Sequence, residues 1–230
     1  MHVAALVLAA GRGERLRQTL PKAFVLLAGK PMLLHTLAAL AAVPEVDRVQ
    51  PVVAARDLPR LDALAAELGG IPKIAPAVAG GVERQDSVRA GLAALPREIS
   101  LVAVHDAARP CVSQESVSRV IAAAERSGAA ILAMPVADTI KRVRDGRIVE
   151  TPQRSECYAA QTPQVFRVEV LREALEKAHA EGRVGTDDAH AVEWLGVPVE
   201  VVEGDRRNLK VTRPEDIPIA ERLLLARSKS

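Results

Sequence analysis

The chain has 230 residues, 49% hydrophobic and only 2% aromatic, with 31 basic against 29 acidic residues and a formal net charge of +2. That length can bury a full core as one α/β domain, residues 1–230, with an excursion. So few aromatic rings make a stacking platform for single-stranded nucleic acid unexpected, and the net charge agrees, because it provides no broad basic surface.

The first segment, VAALVLAAG from Val3 to Gly11, is uniformly apolar, as expected for a strand buried on both faces of a parallel sheet. It has no basic n-region and its apolar run stops at Gly11, so no leader is expected and the cytoplasm is the expected location. The strand breaks into RGERLRQTLPK, ending at Lys22. Gly11 and Gly13 let the backbone turn tightly and offer N–H groups to phosphate oxygens. Arg12, Arg15 and Lys22 add charge enough to face a nucleoside triphosphate. Two familiar glycine loops are excluded: the P-loop needs Gly-Lys-Ser/Thr where Leu16 begins, and the dinucleotide fingerprint needs a third glycine at that same leucine.

Leu33, Leu34, Leu37 and Leu40 then recur at helical spacing, and VQPVVAA over 49–55 reads as the next strand. Gly80-Gly81 opens a helix carrying Val88, Leu92 and Leu95. Those glycines permit close approach of a planar base and Ser87 adds a hydroxyl, although a loop with a helix cap explains the same residues. LVAVHDA over 101–107 is a strand that ends on Asp106. In open α/β sheets ligands bind beyond the carboxyl ends of the strands, where a carboxylate can hold Mg²⁺ against triphosphate oxygens. Arg109 follows within reach of a second anion, and His105, on the opposite side of the strand from Asp106, is expected to pack. A helix with Val117, Val120, Ile121 and Ala124 inward leads to the strand AAILAMPV over 129–136. This alternation predicts a mostly parallel sheet with helices on both faces.

Asp138 to Cys157 breaks the rhythm. Two polar extended runs flank Asp145-Gly146, a pair suited to a type I′ turn, so a projecting ribbon is predicted. It has only Ile140, Val143, Ile148 and Val149 to bury and needs a surface to lie against; a second copy of the chain is the leading candidate, a floppy surface hairpin the alternative. Val170, Leu171, Ala174, Leu175 and Ala178 mark a further helix. In TDDAHAVEW, Thr186 reads as a helix cap with acidic residues in the first turn, a reading preferred to metal ligation by His190 and Glu193. NLKVTRP places Lys210 in an extended piece before a last helix, with Thr212 and Glu215 as a capping box, Pro214 in the first turn, and Ile217, Ala220, Leu223 and Leu224 inward. Cys111 and Cys157 are too few and too far apart for a disulfide framework or zinc cluster, and read as inert thiols of a reducing compartment. No segment approaches the length of a membrane span.

Taken in order, LAAGRGERL with PKAF, GGVERQDSV, VHDAARP, PVADTIKR, TPQ at 162–164 and NLKVTRPED resemble the 2-C-methyl-D-erythritol 4-phosphate cytidylyltransferase family over essentially the whole chain. Ribitol 5-phosphate cytidylyltransferases share most of these motifs and are the alternative. A catalytically silent nucleotide-binding module is a third reading, opposed by the joint presence of Arg15, Lys22, Asp106 and Lys210. The resemblance implies a Rossmann-like nucleotidyltransferase fold in three layers, CTP and a sugar phosphate as substrates, Mg²⁺, and a homodimer joined through the arm at about 138–157, with no nucleic-acid or membrane partner. Carried onto this chain, it makes Arg15 and Lys22 the catalytic cations that stabilise charge on the α-phosphate, and Asp106 the catalytic Mg²⁺ carboxylate. Ala9, Ala10, Gly11, Gly13, Gly80, Gly81 and Ser87, with Lys210, go to the CTP site. Arg109, Thr139, Arg154 and again Lys210 go to the sugar-phosphate site, Thr139 and Arg154 reaching it from the arm of the other subunit. Val82 stands where the family often has an acidic residue and Ala23 where it often has glutamine; neither change removes a catalytic group.

Overall fold

A computed structural model describes residues 1–11 and 20–227. Its main elements in chain order are β1 (His2–Ala9), α1 (Met32–Ala41), β2 (Val46–Val53), β3 (Val78–Ala79), α2 (Arg84–Ala93), β4 (Ile99–Asp106), α3 (Gln114–Ser127) and β5 (Ala129–Pro135). They continue with β6 (Arg142–Arg144), β7 (Arg147–Glu150), β8 (Tyr158–Arg167), α4 (Val168–Ala180), α5 (Asp188–Glu193), β9 (Glu200–Glu203) and α6 (Asp216–Arg227). The central sheet has seven strands in the order β9-β5-β8-β4-β1-β2-β3. All neighbours pair in parallel except β8, which runs antiparallel between β4 and β5. The expected α/β architecture with a mostly parallel sheet is therefore present.

Two apolar layers explain why β1 carries no polar residue between Val3 and Ala9. Val3, Ala5 and Val7 face one layer with Leu33, Leu37 and Leu40 of α1 and Val117, Val120 and Ile121 of α3. Ala4 and Leu6 face the other, with Val88 and Leu92 of α2 and Leu171 and Leu175 of α4. Successive side chains of a strand point to opposite faces, so a strand covered on both sides must be apolar throughout. The α3 helix is closed at both ends: Ser113 Oγ accepts the Ser116 N–H at 3.2 Å, and Gly128 leaves the helix with φ of 87°.

Several predicted details shift. The cap of α5 is Asp187, whose side chain accepts the His190 N–H at 3.0 Å, in place of Thr186. The start of α6 is held by Asp216, whose Oδ2 accepts the N–H groups of Thr212 and Arg213 at 2.7 and 2.8 Å and the Thr212 hydroxyl at 3.0 Å, so Glu215 has no part in it. A carboxylate one residue further on reaches back over the turn made by Pro214 and takes all three donors. The ribbon forms as predicted: β6 pairs antiparallel with β7, and Asp145 and Gly146 both have positive φ, at 49° and 74°, as a type I′ turn requires. Its four apolar residues remain 37–62% exposed, so among the described residues of one chain the ribbon has nothing to lie against.

The register brings the functional segments together. Ala9 pairs with Val53 and Leu8 with Asp106, so β1, β2 and β4 end at one level, and β3, paired to Val53 through Ala79, delivers Gly80 to the same edge. This is the carboxyl edge of the parallel strands, where their following loops make a crevice.

Candidate active site

A cavity of about 260 Å³ opens at that edge. Ala9, Ala10 and Gly11 form one wall, and Gly81 and Ser87 with the first turn of α2 form the opposite one. Lys22, Asp106 and Lys210 line it from three further segments. Gly13 and Arg15 lie outside the described residues.

The glycine wall is set by close contact. A Cβ on Gly80 would stand 2.6 Å from Ser87 Oγ and 2.8 Å from the Ala10 Cβ, so only glycine lets α2 come this near to β1. The Ser87 hydroxyl is engaged there, accepting the Gly81 N–H at 3.2 Å and donating to the Glu83 carbonyl at 3.4 Å. Glu83 and Asp86 close the helix start with a reciprocal capping box. The glycine wall of the cavity is thus largely backbone.

Asp106 sits between two cations of the site. Its Oδ2 lies 2.7 Å from Lys210 Nζ and its Oδ1 3.5 Å from Arg84 Nη2. Burial opposes its ionisation, but Arg84 and Lys210 outweigh that and hold its pKa well below the usual carboxylate range. Arg84 in turn pairs with Asp188 at 2.7 Å. Burial works against the Arg84 charge, and Asp188 and Asp106 more than offset it, so the guanidinium stays ionised. Among the described residues, no three His, Cys, Asp or Glu side chains converge as a metal cluster. Asp106, a carboxylate among cationic side chains, suits Mg²⁺, which takes most of its ligands from water and substrate phosphates rather than from a protein cage.

Arg109 and His105 are interior. Arg109 is 9% exposed and donates to the carbonyls of Asn208 at 2.8 Å and Ala160 at 3.3 Å, so its guanidinium ties β8 to the segment before α6 instead of lining the cavity. His105 is fully buried, as its alternation with Asp106 predicted. Its Nε2 faces the Arg109 carbonyl at 3.1 Å and must carry the proton; its Nδ1 then accepts from the Thr162 hydroxyl at 3.1 Å. That hydroxyl oxygen accepts the Asp106 N–H at 3.1 Å. Burial pulls the His105 pKa down to about 4, against the Arg109 carbonyl and Asp106, which favour its charge. Thr139 and Arg154 sit exposed at the base of the ribbon, where Arg154 donates to the Ala137 carbonyl at 3.1 Å; neither lines the cavity of its own chain.

The profile of one protein family, 2-C-methyl-D-erythritol 4-phosphate cytidylyltransferase, matches residues 3–226. The chain belongs to that family. Among curated cytidylyltransferases of this name, that of Syntrophus aciditrophicus (strain SB) is 44% identical over 223 residues, spanning 96% of this chain and 95% of the relative. A crystal structure of 4-diphosphocytidyl-2C-methyl-D-erythritol synthase from Anaerococcus prevotii superposes with a TM-score of 0.85 at 31% identity, covering 97% of this chain and 96% of that one. The cytidylyltransferase from Thermus thermophilus gives 0.76 at 37% identity, over 99% and 100% of the two chains.

Within this cytidylyltransferase frame the sequence missed two charged residues. Arg84 stands in the quoted motif GGVERQDSV, yet only the glycines and Ser87 drew a role. Asp188 was read as first-turn charge for α5. Its signal was weak, because a second acidic residue beside a capping Asp187 looks like ordinary helix chemistry.

Proposed function

We propose that this chain transfers CMP from CTP to 2-C-methyl-D-erythritol 4-phosphate, giving 4-diphosphocytidyl-2-C-methyl-D-erythritol and pyrophosphate, in isoprenoid biosynthesis. One observation carries the assignment of roles: Lys22, Asp106 and Lys210, far apart in sequence, line a single cavity with the backbone of the two glycine segments. The acceptor's phosphate oxygen is already ionised at neutral pH and needs no side-chain base. It attacks the α-phosphorus in line; the new P–O bond forms as the bond to the bridging oxygen of the β-phosphate breaks, and pyrophosphate leaves with that electron pair. Lys22, with Arg15, stabilises charge on the α-phosphate oxygens, and the small backbone-lined wall receives cytosine and ribose. Lys210 spans the nucleotide and acceptor sides and orients the attacking phosphate, where alignment can supply several kcal/mol of the barrier. Asp106 is the residue that would hold Mg²⁺. When bound, the metal neutralises triphosphate charge.

The exposed ribbon supports a homodimer in which Thr139 and Arg154 of one subunit complete the acceptor site of the other. Arg154 would add a cation to the acceptor phosphate, and the apolar ribbon residues need cover. Arg109 fits a supporting role in this reading, bracing the segment that carries Lys210. Two unpaired cysteines favour a reducing compartment, the cytoplasm.

The test is pyrophosphate release with CTP and Mg²⁺ against each sugar phosphate in turn. Release with 2-C-methyl-D-erythritol 4-phosphate is expected. Release with ribitol 5-phosphate alone would overturn the substrate, and release with neither would overturn the reaction.

A further inference from the structure

Asp188 is a buried charge that the transfer as described does not use. It is 1% exposed at the first position of α5, a helix already capped by Asp187. Gln164 of β8 fixes it, the Gln164 Oε1 accepting the N–H groups of Asp188 and Ala189 at 3.1 and 3.0 Å. The Asp188 Oδ1 is 2.7 Å from Arg84 Nη1, while its Oδ2 is buried without a hydrogen-bond partner among the described residues. An incompletely satisfied buried carboxylate works against folding, so its presence needs another reason.

The reason lies across the guanidinium. Arg84 lines the cavity, and its other terminal nitrogen stands 3.5 Å from Asp106 Oδ1, within ion-pair range but beyond a good hydrogen bond. Lys210 holds the opposite Asp106 oxygen at 2.7 Å. Four charges of alternating sign therefore run from Asp188 through Arg84 and Asp106 to Lys210, joining α5, α2, β4 and the segment before α6. In this series the short contact of Arg84 is to the buried carboxylate and the long one is to the carboxylate of the site.

We infer that Arg84 is a positioning residue for the transfer and that Asp188 is the buried anchor that aims it. The pair with Asp188 fixes the planar guanidinium fork. Arg84 then faces Asp106 without closing on it, and Asp106 Oδ1 is oriented by a cation yet left open toward the cavity. Lysine at position 84 would keep the charge but could not address both carboxylates from one rigid plane. The inference rests on the cytidylyltransferase reading.

The experiment compares the unaltered chain with Asp188→Asn, Arg84→Lys, Arg84→Met and the double variant Arg84→Met with Asp188→Asn. Pyrophosphate release is measured with CTP, 2-C-methyl-D-erythritol 4-phosphate and Mg²⁺, and each protein's thermal melt is recorded. Asp188→Asn is expected to lower kcat about tenfold, the usual scale for losing an outer partner of a site carboxylate. The CTP KM should move by less than about threefold, because an orienting contact acts on the transition state more than on binding. Arg84→Met should lower kcat at least as far, with Arg84→Lys between it and the unaltered chain. The double variant should be no slower than Arg84→Met alone, since the anchor then has nothing to aim. A purely structural Asp188 would instead lower the melting temperature, leave kcat per folded molecule unchanged, and add its effect to that of Arg84→Met. That pattern overturns the inference. If Asp188→Asn does not fold, Arg84→Lys decides: a kcat equal to that of the unaltered chain overturns the positioning role, and a loss partly recovered relative to Arg84→Met supports it. Absence of release by the unaltered chain overturns the functional reading itself, and any role in transfer with it.

Discussion

His105 gives the protein an acid-labile component of stability that one substitution should remove. The folded pKa is about 4 against an ordinary 6.5, chiefly because the ring is fully buried. The fold therefore favours neutral imidazole, and protonation takes away the acceptor at Nδ1 that the Thr162 hydroxyl uses. The sign follows: this contribution is complete above pH 6.5, falls as pH drops from 6.5 toward 4, and is exhausted below that. At about 1.4 kcal/mol for each pH unit across that window, the loss is about 3 kcal/mol. The perturbation is His105→Gln, which keeps an amide within the same hydrogen-bonding surroundings and cannot take up a proton. The assay is urea unfolding of both proteins at neutral pH and near pH 4. The variant starts less stable because it loses ring packing, but between the two pH values it should lose about 3 kcal/mol less than the unaltered chain. Carboxylates that titrate in the same range are common to both proteins and cancel in the comparison. Equal losses by the two proteins would refute the account of His105.

Lys22→Ala should lower turnover by about a hundredfold or more while the melting temperature stays near that of the unaltered chain, as for removal of a group that stabilises transition-state charge; pyrophosphate release per folded molecule measures it. Gly80→Ala forces a methyl group against Ser87 and the Ala10 Cβ. It should destabilise by about 1–3 kcal/mol and raise the CTP KM, read by calorimetry and initial rates. Deleting residues 141–153 should give a monomer in sedimentation velocity and abolish most turnover; a dimer that persists with full activity would remove the arm from both assembly and catalysis.

The strands buried on both faces were legible because their burial leaves no room for polar residues: β1, β2, β4 and β5 all lie within or around apolar runs read from the sequence. The strand β8 was hidden. It carries Gln161, Thr162 and Gln164, all buried, and a proline, because its side chains serve other segments: Gln164 fixes α5, and Thr162 links His105 to Asp106. Such a strand does not look apolar even at the centre of a sheet. Within the cavity, Asp106 was legible from its place at a strand end; Gly80, read for close approach to a planar base, lies outside the lining, with Ser87 and Ala10 packed against it. Arg84 and Asp188 were not legible, since their pairing depends on α2 and α5 coming together on one face of the sheet. Arg109, placed by the sequence within reach of a second anion, lies outside the cavity lining, its guanidinium turned to the carbonyls of Asn208 and Ala160.

The antiparallel course of β8 has a consequence for how the ribbon can change. Because β5 and β8 are adjacent and opposed, with Tyr158 facing Pro135 and the Val136 N–H bonded to the Cys157 carbonyl at 3.1 Å, the chain leaves and re-enters the sheet at neighbouring points. Everything between is an insert in a hairpin whose stem is already closed. Closure entropy grows slowly with loop length, so the insert can lengthen, shorten or be replaced by a tight turn with little effect on the sheet below. The exposed ribbon is thereby decoupled from the scaffold of the cavity, and it can drift in evolution or be redesigned while the carboxyl edge of the sheet keeps its register.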